Sequence, residues 1–108
     1  MKKIKLVGHV TVYSGQVMIC DPYYIDSSWK HVKEWKTHEE FRERIKNEKE
    51  GSFNYLGACQ VTLSEEQAGQ LCLAVASSSG YGGSGKYPVF ATYKDGRIKQ
   101  LKINCLIS

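Results

Sequence analysis

Two short segments of the 108-residue sequence carry residue types that can bind an anion or an aromatic base. The first is Asp21-Pro22-Tyr23-Tyr24, where two phenol rings with polar tips follow a carboxylate. The second is the glycine-rich run GYGGSGKYP over residues 80–88, whose successive backbone N–H groups can converge on a phosphate. Within it Lys86 supplies a point charge, and two further tyrosines supply rings that can stack on a base.

Each segment also has a plain structural interpretation. An Asp before a Pro often only closes an Asx-type turn, and Gly/Ser tracts are often flexible surface loops. The glycine-rich run is not a P-loop, because Tyr87 stands where the motif needs Ser or Thr to hold magnesium. We therefore predict ligand binding without nucleotide hydrolysis. The candidate binding residues are Asp21, Tyr23, Tyr24, Tyr81, Gly82, Gly83, Ser84, Gly85, Lys86, Tyr87 and Arg97.

No catalytic or metal-binding motif is complete in the sequence. It holds three His, but neither a G-x-S-x-G elbow nor an H-E-x-x-H pair. The four Cys lie in no C-x-x-C pair, so we expect them to be buried small hydrophobes in a reducing compartment. A zinc site shared with the His residues is the alternative, without the usual ligand spacing. We expect no catalysis, no bound metal and no cofactor.

Composition and charge narrow the classes of partner. Apolar residues make up 42% of the chain and charged residues 24%, which is typical of a globular domain. The net charge of +4 comes mostly from Lys, whereas Arg is the better bidentate reader of phosphates and guanines. The charge therefore permits an anionic partner without indicating duplex nucleic acid. No apolar run approaches the roughly 18 residues of a membrane span, so we expect a cytoplasmic protein.

Alternating apolar residues predict most of the fold. Residues 3–13 form a predicted strand in which Ile4, Leu6, Val10 and Val12 share one face, with Gly8 marking a bulge. Further predicted strands cover residues 16–20, 52–62, 70–76, 87–93 and 98–107, with a hairpin turn at Asp95-Gly96 between the last two.

Two capping boxes predict the helical parts. Thr37 and Glu40 indicate a short helix over about residues 38–47, lying on the surface against the sheet with help from Trp29, Val32 or Trp35. A second box, at Ser64, indicates a helical turn over residues 65–69. The prediction is an α+β, mainly β, single domain over residues 1–108. It would be an antiparallel sheet or a small sandwich or barrel, with one helical insertion at residues 25–50.

The chain resembles a group of small phage and bacterial proteins of unassigned function. The resemblance rests on GQVMICDPYY at residues 15–24, on the glycine-rich run ending in Tyr-Pro-Val, and on Gly-Arg-Ile at residues 96–98. That group carries D-S-G-Q, D-P-C-Y, G-x-G-D-G-x-Y-P-V and a closing G-R-I strand. Tyr23 replaces the group's Cys. Gly83-Ser84 replaces its single Asp, which removes a carboxylate and makes the loop more hospitable to an anion.

The resemblance implies a function in phage counter-defence. Such a protein would sequester a nucleotide immune signal, such as a cyclic oligonucleotide or a cyclic ADP-ribose derivative, in the host cytoplasm. The glycine-rich run would fold back against the Asp-Pro-Tyr corner to make the cavity, and a homo-oligomer would enclose the ligand. Two alternatives stay open: an enzyme that degrades such a ligand, and a protein–protein interaction module acting through residues 26–50.

Overall fold

A computed structural model describes residues 3–105, except for the side chain of Tyr81. Over these residues the chain forms six strands, three α-helices and one 3₁₀ helix, which confirms the α+β, mainly β class. The elements in chain order are β1 Lys3–Val12, β2 Gln16–Ile19, α1 Pro22–Ser27, α2 His38–Asn47, α3 Tyr55–Thr62, β3 Ala68–Leu71, β4 Ala74–Ser78, the 3₁₀ helix Gly80–Gly82, β5 Gly85–Lys94 and β6 Arg97–Ile103.

The described strands form two open antiparallel sheets, one in each of two compact units. Unit 1 comprises Met1–Gly15 and Ser79–Ser108 and contains the sheet β1-β5-β6. Unit 2 comprises Gln16–Ser78 and contains the sheet β2-β4-β3 together with α1, α2 and α3. The turn at Ser14-Gly15 therefore joins strands of different sheets and does not close a hairpin. The single domain over residues 1–108 stays a prediction.

A β-bulge in β1 changes which side chains share a face of the unit 1 sheet. Leu6 pairs with Phe90 and Gly8 pairs with Val89, so Val7 has no partner across the ladder. Because one extra residue reverses the alternation, the side chains before and after the bulge exchange faces. The bulge predicted near Gly8 is present. The shared face predicted for Ile4, Leu6, Val10 and Val12 is wrong, since the first two point away from the last two.

The β5–β6 hairpin confirms the predicted turn and contains a second bulge. Asp95 and Gly96 have φ angles of 53° and 77°, as a type I′ turn requires. Thr92 pairs with Gln100 and Tyr93 with Ile98, which leaves Lys99 as the extra residue. The strand predicted over residues 98–107 ends at Ile103, and residues 106–108 lie outside the described part of the chain.

In unit 2, α2 occupies the predicted residues. The Thr37 hydroxyl accepts from the Glu40 backbone N–H at 3.0 Å, which satisfies one of the free N–H groups of the first turn. However, α2 packs on α3, and α3 packs on β3 and β4. The predicted direct packing of the helix on a sheet is therefore wrong, because a second helix lies between them.

The strand predicted over residues 52–62 is wrong, since α3 occupies most of it. The Asn54 side chain accepts from the Gly57 backbone N–H at 2.8 Å and begins the helix. A Cβ on Gly57 would lie 1.9 Å from the Ser52 carbonyl oxygen, so only glycine permits this close approach. Polar capping and a small residue thus favour a helix where alternation indicated a strand.

The segment after α3 also differs from the prediction. Gln67 has a φ of 62°, which interrupts the helical turn expected over residues 65–69. Cys72 has a φ of 54° and lies in the turn between β3 and β4, so residues 70–76 form a hairpin and not one buried strand. Two clusters of buried apolar side chains pack around these elements, one near Leu71 and the other around Leu56.

Candidate functional site

The Asp21-Pro22 corner begins α1. The Asp21 carboxylate accepts from the Tyr23 backbone N–H at 3.0 Å, and Pro22 occupies the first helical position. Pro is favoured there because its missing N–H would have no partner in the helix. Asp21 therefore has a structural role as an N-cap, and its side chain is exposed.

The two tyrosines that follow differ in exposure. The Tyr23 ring is 71% exposed, whereas Tyr24 is partly buried and packs against the cluster around Leu71. The rings meet edge to face, with centroids 5.4 Å apart. Tyr23 is thus the ring of this corner that is most free to stack on a ligand.

The glycine-rich run in unit 1 is an ordered turn held by two hydroxyl groups. The hydroxyls of Ser79 and Tyr87 both donate to the Gly83 carbonyl, each at 2.7 Å. Gly83 has a φ of 59°, a conformation that favours glycine. A Cβ on Gly82 would lie 2.2 Å from the Tyr87 hydroxyl oxygen, so the chain passes that ring at close range.

This arrangement assigns Tyr87 a structural role. Its side chain is 3% exposed, so it holds the turn and offers no free face for stacking on a base. Ser84, Gly85 and Lys86 are exposed beside it. The stacking role predicted for the Tyr81 side chain lies outside the described part of the structure.

The predicted site residues are spread over both units. Asp21, Tyr23 and Tyr24 belong to unit 2, whereas the glycine-rich run and Arg97 belong to unit 1. Their shared cavity stays a prediction. Within unit 1, Lys86 lies near the start of β5, and Arg97 pairs with Lys94 at its end. Eight residues of strand separate them by roughly 26 Å, so one small ligand does not contact both.

The structure brings together a different group of cations at the hairpin end of the unit 1 sheet. An open cavity of about 850 Å³, here called the lysine depression, contains four lysines and one ring. Its lining residues are Lys3, Lys5, Tyr93, Lys94, Asp95, Gly96 and Lys99. All are exposed except the half-buried Tyr93. All of them lie in unit 1.

Strand register explains how these lysines meet. Lys3 lies opposite Tyr93 and Lys5 lies opposite Ala91, so both lysines project from one face of the sheet. The bulge at Val7 places them on the same face as Val10 and Val12, and the second bulge brings Lys99 into the depression. Sequence alternation alone missed the site because it assigned these lysines to the face opposite Val10 and Val12.

Charge is divided unequally between the two units. Unit 1 contains eight Lys and Arg residues and one acidic residue, Asp95. Unit 2 contains seven Lys and Arg residues and ten Asp and Glu residues. The net charge of +4 is therefore the sum of a strongly basic unit 1 and a slightly acidic unit 2. Unit 1 is the part of the chain suited to binding an anion.

Buried polar groups in unit 2 support the fold. Gln16 donates to the Cys59 sulfur at 3.4 Å, and the Thr62 hydroxyl donates to the Gln16 side-chain carbonyl at 3.1 Å. Burial raises the pKa of the Cys59 thiol, and hydrogen bonds from Gln16 and Tyr55 partly oppose that effect. A buried thiol held in its protonated form is a poor nucleophile.

The two tryptophans of residues 26–50 pack inside unit 2. Trp29 meets Phe53 edge to face at 5.1 Å, and Trp35 lies 4.3 Å from Phe41 and 5.9 Å from Tyr55, measured between ring centroids. Both are partly buried, so they do not form the exposed aromatic patch that an interaction module in this segment would present.

Residues 3–105 contain no group of three or more His, Cys, Asp or Glu side chains placed to hold a metal ion. No helix in this range has the length and apolar character needed to cross a bilayer. Comparisons with protein-family models, with curated proteins and with solved structures found no match to this chain.

Proposed function

We propose that this protein binds a phosphate-bearing, nucleotide-type ligand through unit 1 and does not turn it over. The observation that carries the proposal is the lysine depression, where four lysines and one tyrosine line a single open cavity in a basic unit. Lysine ammonium groups bind phosphate as point charges. The Tyr93 ring supplies an apolar surface for a base.

The resemblance to small phage proteins supplies the biological part of the proposal. The ligand would be an immune signal, such as a cyclic nucleotide or a cyclic ADP-ribose derivative, held intact in the host cytoplasm by a homo-oligomer. The exposed Lys86 and the backbone of the glycine-rich run lie at the other end of β5, so they offer an anion contact that is separate from the depression and out of reach of the same small ligand.

Isothermal titration calorimetry against cyclic nucleotides, linear nucleotides and ADP-ribose isomers tests the proposal. Binding should be saturable, and chromatography after denaturation should recover the ligand unchanged. Conversion of the ligand would select the enzyme alternative. Absence of binding across all phosphate-bearing compounds would refute the proposal.

A pair of matched variants locates the site. Lys5→Gln removes a cation from the depression and should weaken binding by roughly tenfold at low salt, since a charge-assisted hydrogen bond is lost. Lys102→Gln removes the same charge from the opposite face, where Lys102 lies beside Phe90, and should leave affinity nearly unchanged. Lys86→Gln reports separately on the glycine-rich run. Equal effects of Lys5→Gln and Lys102→Gln would reject the depression as the site.

A further inference from the structure

We infer that the lysine depression binds single-stranded nucleic acid, with the phosphodiester backbone along β1 and the bases over β6. This inference rests on the proposed function and names the class of ligand for the same site. A linear strand of several nucleotides should bind more tightly than a mononucleotide or a cyclic dinucleotide. Three features of unit 1 support it: the openness of the depression, the spacing of its cations and the apolar side chains on the same face.

In a single protomer the depression is open, so it can hold a ligand longer than the small signal that a homo-oligomer would enclose. Sites for small ligands usually bury most of the ligand surface. Here six of the seven lining residues are exposed, and only Tyr93 is half-buried. An open depression of about 850 Å³ does not by itself limit the ligand to a single nucleotide.

The cations are spaced for more than one phosphate. Lys3 and Lys5 are two residues apart on β1, a separation of roughly 7 Å along the strand. Lys99 lies on β6, and β5 lies between β6 and β1, so the sheet spans roughly 10 Å between them. Four ammonium groups drawn onto one phosphate would repel each other. A backbone along β1 gives Lys3 and Lys5 one successive phosphate each, and Lys99 lies too far across the sheet to share either of them.

The same face changes from charged to apolar across the sheet. One row of opposed residues runs Lys3, Tyr93, Ile98, and the next row runs Lys5, Ala91, Leu101. Ile98 is 57% exposed and Leu101 is 58% exposed, so each row begins with an exposed cation and ends with an exposed apolar side chain. A nucleotide chain has the matching polarity, with phosphates along one side and base faces along the other.

The lining residues indicate binding without base sequence preference. None of them is Arg, Asn or Gln, whose planar end groups fit base edges, and Lys is a compact point charge without such a fork. Lysine contacts to phosphate and stacking on a ring accept any base. DNA and RNA strands should therefore bind with similar affinity, because neither contact uses the ribose 2′-hydroxyl.

Fluorescence anisotropy with labelled 12-nucleotide dT and U strands tests the inference on the full chain. The logarithm of the binding constant should fall with the logarithm of salt concentration, with a slope of about −0.7 for each phosphate contacted. We expect contact with at least two phosphates and a slope flattened by about 0.7 in Lys5→Gln. The slope of Lys102→Gln should match that of the wild type. Identical slopes in both variants would overturn the inference.

Competition separates failure of the inference from failure of the proposed function. If dTMP or a cyclic dinucleotide displaces the strand at equal phosphate concentration, the inference falls and the proposed function stands. If no phosphate-bearing compound binds, both fall.

A second variant tests whether the bases of the bound strand lie over β6. Leu101→Ala should weaken binding of the dT strand roughly threefold and leave binding of inorganic polyphosphate unchanged, because polyphosphate has no base to lie over β6. Circular dichroism should show a retained fold, since Leu101 is largely exposed. Equal affinity of wild type and Leu101→Ala for both ligands would overturn the assignment of bases to β6.

Discussion

Unit 1 and unit 2 each contain a three-stranded antiparallel sheet, yet their side chains are used differently. In unit 2, α3 packs on the sheet, and both clusters of buried apolar residues belong to this unit. In unit 1 the described residues form no α-helix, and Ile4, Leu6, Val7, Ile98 and Leu101 are largely exposed. Unit 2 also carries most of the acidic residues, whereas unit 1 is basic.

This difference assigns separate tasks to the two parts of the chain. Burial of apolar surface is the main source of stability, so the packed clusters of unit 2 should dominate the free energy of unfolding. A sheet with exposed lysines and apolar side chains gives up such burial and gains a surface for a ligand. Substitutions of equal size should therefore cost more stability in unit 2 and more affinity in unit 1.

The largest expected effect on stability is that of Leu71→Ala. Leu71 is fully buried in a unit 2 cluster, so the cavity should lower the free energy of unfolding by about 2–5 kcal/mol. Leu73→Ala is the control, because Leu73 is 48% exposed in the adjacent turn and should cost less than about 0.5 kcal/mol. Urea denaturation followed by tryptophan fluorescence measures the free energy of unfolding of both variants. Similar losses in the two would contradict the view that the packed clusters of unit 2 dominate stability.

A smaller loss of stability is expected for Gly82→Ala in unit 1. The new methyl group would lie 2.2 Å from the Tyr87 hydroxyl oxygen and 2.4 Å from the Cys105 carbonyl oxygen. Displacing the turn should cost about 1–3 kcal/mol. Gly8→Ala meets no atom within 4 Å and should change the thermal midpoint little. An unchanged midpoint in Gly82→Ala would show that the turn yields freely.

Helix capping gives a third, smaller test within unit 2. Asn54→Ala removes the acceptor for the Gly57 N–H and the donor to Glu48, and should cost about 1–2 kcal/mol. Thr37→Ala removes the more exposed cap of α2 and should cost about 0.5–1 kcal/mol. If the order of the two urea midpoints is reversed, α3 is not the better-anchored helix.

The smallest expected effect is a pH dependence from Cys59. Its folded pKa is raised, so above the ordinary thiol pKa the unfolded chain loses its proton first and stability falls as pH rises. Below that pH both states hold the proton, and the contribution of the thiol to stability is fully present. Between pH 7.5 and 9.5, the urea midpoint of the wild type should fall slightly more than that of Cys59→Ala. If the urea midpoints of the two proteins fall in parallel with pH, the Cys59 thiol is not the cause of the pH dependence.

Sequence reasoning succeeded where one local signal determined the structure. The capping box at Thr37 and Glu40 defined α2, and Asp95-Gly96 defined the hairpin turn, since each depends on residues adjacent in the chain. It failed where a residue without such a signal adopts a positive φ. Gln67 and Cys72 do so, and their turns replaced a predicted helical turn and divided a predicted strand.

Two helix starts were present in the sequence but were interpreted as other features. Asp21-Pro22 indicated an Asx-type turn or a binding corner, although Asp as N-cap and Pro at the first position also begin a helix, as in α1. Asn54 begins α3 in the same way, within a segment whose alternation favoured a strand.

The lysine depression depends on long-range order. Lys5 and Lys99 are far apart in the chain, and bulges in both edge strands of the sheet shape the region where they meet. The sequence indicated a bulge near Gly8. It did not indicate the pairing partners, and without them the face occupied by each lysine is undetermined.

The unpaired Val7 makes strand register a determinant of surface chemistry. If Val7 instead paired within the ladder, with Val10 and Val12 held in register, every residue before it would slip by one, and Ile4 and Leu6 would turn to the face that now carries Lys3 and Lys5. No amino acid would change type, yet a cationic surface would become an apolar one. In related chains, a gain of one residue in β5 between Val89 and Phe90, opposite Val7, would be expected to alter what the protein binds more than most point substitutions nearby.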